Sequence, residues 1–187
     1  MRLDIMVDIE TLGNKTDSTI FQIAAIAFDI ETGKHIQFFH HIADIAKNEK
    51  LNVTGDTLKW WLNTDKELLS DLLNKGEGSS EELLCKFSNW LSSLVFGHDV
   101  YLWGNGILFD NKMIQHQLES IGLEYPIFFR NDRDVRTILE LAARKLDMSE
   151  RDLRKKYYDN TTAHDAANDV ANQIRLVCAC YKELVGN

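Results

Sequence analysis

Apolar and polar residues alternate through the first stretch of the chain. Leu3, Ile5 and Val7 fall on one side, and Asp4, Met6 and Asp8 on the other. This period of two predicts a strand. The nearly continuous apolar run Ile20 to Ile30 predicts a second strand and Ile36 to Ile42 a third, with a turn at Thr32-Gly33 between them. Three strands with such short connections predict an antiparallel meander. The period then changes. Thr57 to Leu62 and Lys66 to Leu73 pattern as helices, the second with a capping-box match at Thr64 and Glu67. Ser79 and Glu82 begin a longer helix whose Leu83, Phe87, Trp90, Leu91 and Leu94 share one face. Val100 to Gly104 reads as a short buried strand, Asp110 to Ile121 as a helix and Ile127 to Phe129 as a fifth strand. Val135 to Leu146 reads as another helix. The last runs from about Ala166 to Leu184, with Ala167, Val170, Ala171, Ile174, Val177, Cys178 and Tyr181 as its apolar stripe.

Hairpins first and crossovers later predict an α/β fold, a mixed five-stranded sheet flanked by helices. This is the ribonuclease H-like arrangement. No repeat, low-complexity tract or flexible linker interrupts it, and Pro126 is the only proline, so residues 1–187 read as a single domain. The net charge of −8 argues against a broad phosphate-gripping surface. Carboxylates that hold divalent metals count as negative in that sum, yet the loaded site is far less so. No apolar run is long enough to cross a bilayer, which predicts no membrane association. The chain opens directly on strand-like residues, which predicts no signal peptide. Cys85, Cys178 and Cys180 are odd in number and lack paired zinc spacing, as expected in a reducing cytoplasm.

The end of the first strand is unusual. Asp8 and Glu10 stand two residues apart, so an extended chain points both to the same side. Folding has no use for two like charges side by side, and a cation between them would explain the pair. Two further places carry similar chemistry. "GNGILFDN" (Gly104 to Asn111) leaves the fourth strand and enters a helix at Asp110, and "AHDAANDV" (Ala163 to Val170) opens the last helix. Strand ends and helix starts are where sites collect in α/β sheets. Hard divalent cations take oxygen ligands. Asp8, Glu10, Asp110 and Asp169 are therefore candidates to hold two ions, magnesium or manganese, at the roughly 3.5–4 Å spacing used to displace a phosphate ester. A histidine titrates near neutral pH, and His164 is placed to take a proton from water.

"DIET", an aromatic-Asp within a glycine-asparagine loop, and His-x₄-Asp together resemble the three motifs of the DEDDh 3′→5′ exonucleases. "DTLKWWL", "LWGNGILFDN", "RDVRT" and "AHDAANDV" extend the likeness to the ribonuclease T-like branch, with its small bacterial exoribonucleases and phage exonuclease A, over most of the chain. The resemblance implies hydrolysis of single-stranded RNA or DNA from a free 3′ end to nucleoside 5′-monophosphates by a two-metal mechanism. It implies Asp8, Glu10, Asp110 and Asp169 as metal ligands, with His164 as general base. It places Thr11 and Leu12 beside the terminal nucleotide and Phe109 near the terminal bases. Asp165 competes with Asp169 as ligand on position alone, being well placed to cap the helix, and the family pattern selects Asp169. An inactive nucleic-acid-binding module and a ribonuclease H-like endonuclease are the alternative functions. The intact acidic set argues against the first and the histidine against the second. A homodimer stays open.

Other residues have plainer readings. Adjacent Trp60 and Trp61 cannot both face a core squarely, so one is core and the other is a candidate stacking platform. Arg130, Arg133 and Arg136 either grip phosphates or pair with Asp132 and Asp134. The basic run Arg151 to Lys156 reads as a solvated helix face that lies close in sequence to His164. His35, His40, His41, His98 and His116 follow no motif and read as structural or surface residues.

Overall fold

A computed structural model of the chain describes residues 1–158 and 164–186. Strand β1 (Arg2–Thr11) is the centre of a five-stranded sheet of order β3-β2-β1-β4-β5. β2 (Ile20–Phe28) pairs with it antiparallel, and β3 (His35–Ile42) pairs antiparallel with β2. On the other side β4 (Asp99–Gly104) and β5 (Asp132–Asp134) run parallel to β1. The meander and the mixed sheet are as the sequence predicts, and the arrangement is ribonuclease H-like. Among the described residues, no helix is long and apolar enough to cross a membrane.

The period of two in β1 decides what each face carries. Leu3, Ile5, Val7 and Ile9 join a core with helices α3 (Ser80–Val95) and α4 (Asp110–Ser120), through Phe87, Leu91, Met113 and Ile114. Met6 points the other way. It packs with Trp103, with Leu139 of α5 (Val135–Lys145) and with Val170, Ile174 and Val177 of α7 (Ala166–Val185). Asp4, Asp8 and Glu10 share the Met6 side of the strand. Asp4 is buried and fully matched: Arg2 donates two hydrogen bonds of 2.8 Å to it, and the Trp103 Nε1–H donates a third of 2.8 Å. Helix α6 (Glu150–Tyr157) carries the basic run, with Leu153 its one buried residue.

Two local expectations need correction. The fifth strand is Asp132–Asp134, not Ile127 to Phe129. Of that apolar run only Ile127 is buried, while Phe128 and Phe129 are exposed. An edge strand is paired on one side and needs no continuous apolar run. Polar residues fasten this one, with the Asn111 Nδ2 and Tyr125 hydroxyl donating to Asp132 Oδ1 at 2.7 and 2.8 Å. The second correction concerns a cap. Helix α1 (Gly55–Thr64) runs through Thr64, so Asp65 caps α2 (Lys66–Asn74) by accepting from the Leu68 N–H at 2.8 Å. Ser79 caps α3 as expected.

The tryptophans divide as the sequence predicts. Trp61 is 1% exposed, packs against Leu12, Phe21, Leu69 and Leu72, and donates its Nε1–H to the Thr11 carbonyl at 3.1 Å. Trp60 is 41% exposed. Replacing the buried ring leaves a cavity as well as lost transfer energy, so Trp61→Ala is expected to cost about 3–5 kcal/mol. Trp60→Ala is expected to cost below about 1 kcal/mol. Urea denaturation of the two variants measures the split, and equal losses would refute it.

Candidate active site

The even-numbered side of β1 ends in Asp8 and Glu10, beneath the start of α7. A register shift between Glu10 and Thr11 breaks the β1–β2 ladder at this point. Such irregularities end pairing and re-aim side chains beside sites. Asp169 lies in the first turn of α7, and one carboxylate oxygen each from Asp8, Glu10 and Asp169 falls within 4.8 Å of the others. Asp110, the first residue of α4, is 4% exposed and approaches from the side. Gly104 makes that approach feasible. A Cβ there would stand 2.3 Å from Asn111 Oδ1 and 3.2 Å from the Asp110 Cβ, so a side chain would push α4 off the end of β4. Asn111 then ties the helix down by donating to the Leu102 carbonyl at 3.1 Å.

Crowding sets the electrostatics. Burial, followed by the charges of Asp110 and Asp169, pushes the Asp8 carboxyl well above the usual carboxylate range. Burial and then the charges of Asp8 and Asp169 do the same to Glu10. Asp110 is pushed up to about 7 by burial, against hydrogen bonds from the backbone N–H groups of Asp110 and Ile9 and the charge of Arg136. Burial also raises Asp169, opposed by the backbone N–H of His164. Asp4 has its arginine, but among the described residues no ion pair reaches any of these four. A set of converging oxygens that forms no ion pair has the donor chemistry of a hard divalent cation site.

His164 is held against this cluster. Its φ is 65°, in the left-handed region that a non-glycine residue rarely adopts, and its backbone N–H donates to Asp169 Oδ2 at 3.0 Å. Its ring meets the Trp60 ring edge-on, with centroids 4.8 Å apart at 86°. Ala163, ahead of it in the motif, lies outside the described residues. A cavity of about 470 Å³ opens beside Glu10, lined by Thr11, Trp60, Trp61 and Phe109 among others. Thr11 and Phe109 both line this cavity. The Leu12 side chain instead packs into the core with Phe21, Trp61, Leu69 and Leu72, and is not among the cavity's lining residues.

Three supporting residues escape sequence reasoning. Gln173 donates its Nε2–H to Asp8 Oδ1 at 2.8 Å, one helical turn beyond Asp169. The spacing of four residues on one helix was a usable signal. Gln22 lies opposite Glu10 across the strand pair and donates from Nε2 to Asp165 Oδ1 at 2.9 Å. The same Nε2 stands 2.9 Å from His40 Nε2, and burial lowers the pKa of His40 against the opposing charge of Asp165. Nothing local marks Gln22 or His40 for this role. Asp165 caps α7, accepting from the Ala167 N–H at 3.2 Å.

The chain has relatives among known proteins. The chain is similar to an exodeoxyribonuclease of Enterobacteria phage T4, 25% identical over 212 aligned residues, with 98% of this chain and 91% of that protein covered. The nuclease domain of 3′hExo, a DEDDh family member bound to rAMP, superposes with a TM-score of 0.64 at 16% identity, covering 98% of this chain and 92% of that one. An exonuclease I from Methylocaldum szegediense gives a TM-score of 0.69 at 20% identity and covers all of this chain but 43% of its own. These structural likenesses establish the shared fold. The model of the 3′-5′ exoribonuclease Rv2179c-like domain matches residues 3–181. The chain therefore belongs to the Rv2179c-like 3′-5′ exoribonuclease domain family, and is a 3′→5′ exonuclease.

Proposed function

We propose that residues 1–187 act as one domain that hydrolyses single-stranded RNA or DNA from a free 3′ end and releases nucleoside 5′-monophosphates. Asp8, Glu10, Asp110 and Asp169 would hold two divalent ions, magnesium or manganese. The observation that carries this reading is the convergence of three carboxylates within 4.8 Å, with Asp110 beside them and no ion pair to any of the four among the described residues. When bound, the ions supply Lewis-acid stabilisation of an in-line displacement at phosphorus. His164 takes the proton of the attacking water on a ring nitrogen. The new P–O bond forms as the bond to the 3′-oxygen breaks, and that oxygen takes a proton from solvent. Thr11, Trp60 and Phe109 line the cavity in which the terminal nucleoside fits beside Glu10. Leu12 would support that wall from the core side.

RNA and DNA share this chemistry. The family's description favours RNA, and the name of the phage T4 relative supports DNA as a second substrate. Cys85, Cys178 and Cys180 are free, and burial pushes the Cys178 thiol up to about 12 and Cys180 to about 11. Three free thiols fit a reducing, cytoplasmic setting.

The raised carboxyls fix the sign of a pH effect. Between the ordinary carboxylate range and their raised folded values, the native state holds more protons than the unfolded chain. Stability of the metal-free protein is therefore present at low pH and lost as pH rises through about 7, the value of Asp110. Thermal melts in EDTA are expected to show a Tm that falls between pH 5 and pH 8 (about 1.4 kcal/mol per unit of folded–unfolded pKa difference as the upper limit for one group). Asp8→Asn is expected to flatten that dependence, hold or raise the metal-free Tm and abolish cleavage. Near-normal magnesium-dependent activity in Asp8→Asn would remove it from the site.

His164→Ala is expected to lose about 10²–10⁴-fold in kcat, the usual contribution of a positioned general base. Manganese binding, followed by calorimetry, should largely survive, because the carboxylates remain. A loss of binding equal to that of Asp169→Asn would make His164 a ligand or a structural residue instead.

Time courses on 3′- and 5′-labelled RNA and DNA oligomers test the direction of attack. Ends carrying a 3′-hydroxyl are expected to be degraded, and a 3′-phosphate is expected to block cleavage by adding charge where the terminal sugar fits. A circular single strand should resist. Its cleavage would favour the ribonuclease H-like endonuclease.

A further inference from the structure

Arg130, Arg133 and Arg136 recur at every third position from the approach to β5 to the first turn of α5. Asp132 and Asp134 do not neutralise them, because both carboxylates are occupied elsewhere. Asp132 accepts from Asn111 and Tyr125. Asp134 caps α5 by accepting from the Thr137 N–H at 3.0 Å, and its other oxygen accepts from the Ile107 N–H at 3.1 Å. Arg133 donates instead to the carbonyls of Arg130 and Asp132, at 2.7 and 2.9 Å, and lies 4.5 Å over the Tyr101 ring. Arg130 lies 5.4 Å over the Phe129 ring. The Arg136 guanidinium flanks Gly106, where a Cβ would stand 3.3 Å from it, and its charge reaches Asp110. Among the described residues, none of the three forms an ion pair.

Two aromatic rings stand at the far end of this track. Phe128 is 58% exposed and Phe129 73%, with ring centroids 4.6 Å apart. Solvent exposure of two adjacent phenylalanines has no value to the core. Guanidinium groups match phosphate oxygens, and aromatic faces stack on bases of any sequence. On a chain of net charge −8, three arginines within one short segment are a local concentration of guanidinium groups. They lead from the exposed rings to the acidic cluster.

We infer that Arg130, Arg133, Phe128 and Phe129 form a second binding site for the substrate strand, which takes nucleotides upstream of the 3′ end, with Arg136 between it and the active site. This rests on the exonuclease reading. The site is narrow, so it adds affinity for longer strands without making the whole surface basic. Arg130, Arg133, Phe128 and Phe129 do not line the cavity beside Glu10, so a dinucleotide seated there is expected to make no contact with them.

The test compares the full chain with the Arg130→Glu/Phe129→Ala variant, both positions being exposed, and with Arg133→Gln. Cleavage of a dinucleotide and of a longer single-stranded oligomer is followed with magnesium. For the double variant, the KM of the longer oligomer is expected to rise at least about tenfold, from one lost stacking contact and one reversed charge. Its kcat, and both constants on the dinucleotide, should hold. Fluorescence anisotropy of a labelled oligomer in calcium reads binding without turnover. There the slope of log affinity against log salt should become shallower by about 0.7 per arginine removed. An unchanged KM and salt slope in the folded double variant would overturn the inference, and would leave a protein partner as the use of the patch. Failure of the unmodified chain to cleave either substrate would instead sink the exonuclease reading, and the anisotropy arm would still decide the strand site.

Discussion

Mutual repulsion of four carboxylates is the constraint around which this fold is arranged. Asp8, Glu10, Asp110 and Asp169 come from β1, α4 and α7, and each is raised by burial that the folded chain alone imposes. A chain selected only for stability would separate or neutralise them. This one shows that it can: Asp4, on the same side of the same strand, has Arg2 and Trp103 as partners. The contrast between Asp4 and Asp8 separates a carboxylate matched by a cation from one held only by a neutral amide.

Holding the repelling groups together falls to neutral donors. Gln173 holds Asp8, the His164 backbone holds Asp169, and Gln22 holds the cap of the helix that carries Asp169. An amide orients a carboxylate without cancelling its charge. A lysine at position 173 would fix Asp8 equally well and occupy the place of a cation. Glycine at 104 contributes in another way, by removing the volume that would keep α4 from β4.

Most of the fold and the central acids were legible in the sequence because both depend on short-range pattern. The period of two in β1 put Asp8 and Glu10 on one side, and the helix start at Asp110 followed from the loop before it. The errors have a common cause. Ile127 to Phe129 is as apolar as a strand, but β5 is an edge and is stapled by Asn111 and Tyr125 from elsewhere in the chain. Leu12 has the position of a cavity residue, while its side chain is claimed by the core around Trp61. Gln22 and His40 became visible only once β1, β2 and β3 were paired, since their partners are set by register and not by neighbours in sequence.

The central position of β1 also governs when the molecule becomes competent. Asp8 and Gln173 are separated by 165 residues, and Gln22 and Asp165 by 143. Contacts of such span are entropically late in folding. The strands β1 to β3 can pair as a local meander soon after synthesis, while the acids at the end of β1 still lack α7. A nascent chain therefore has no assembled acidic cluster until α7 has docked.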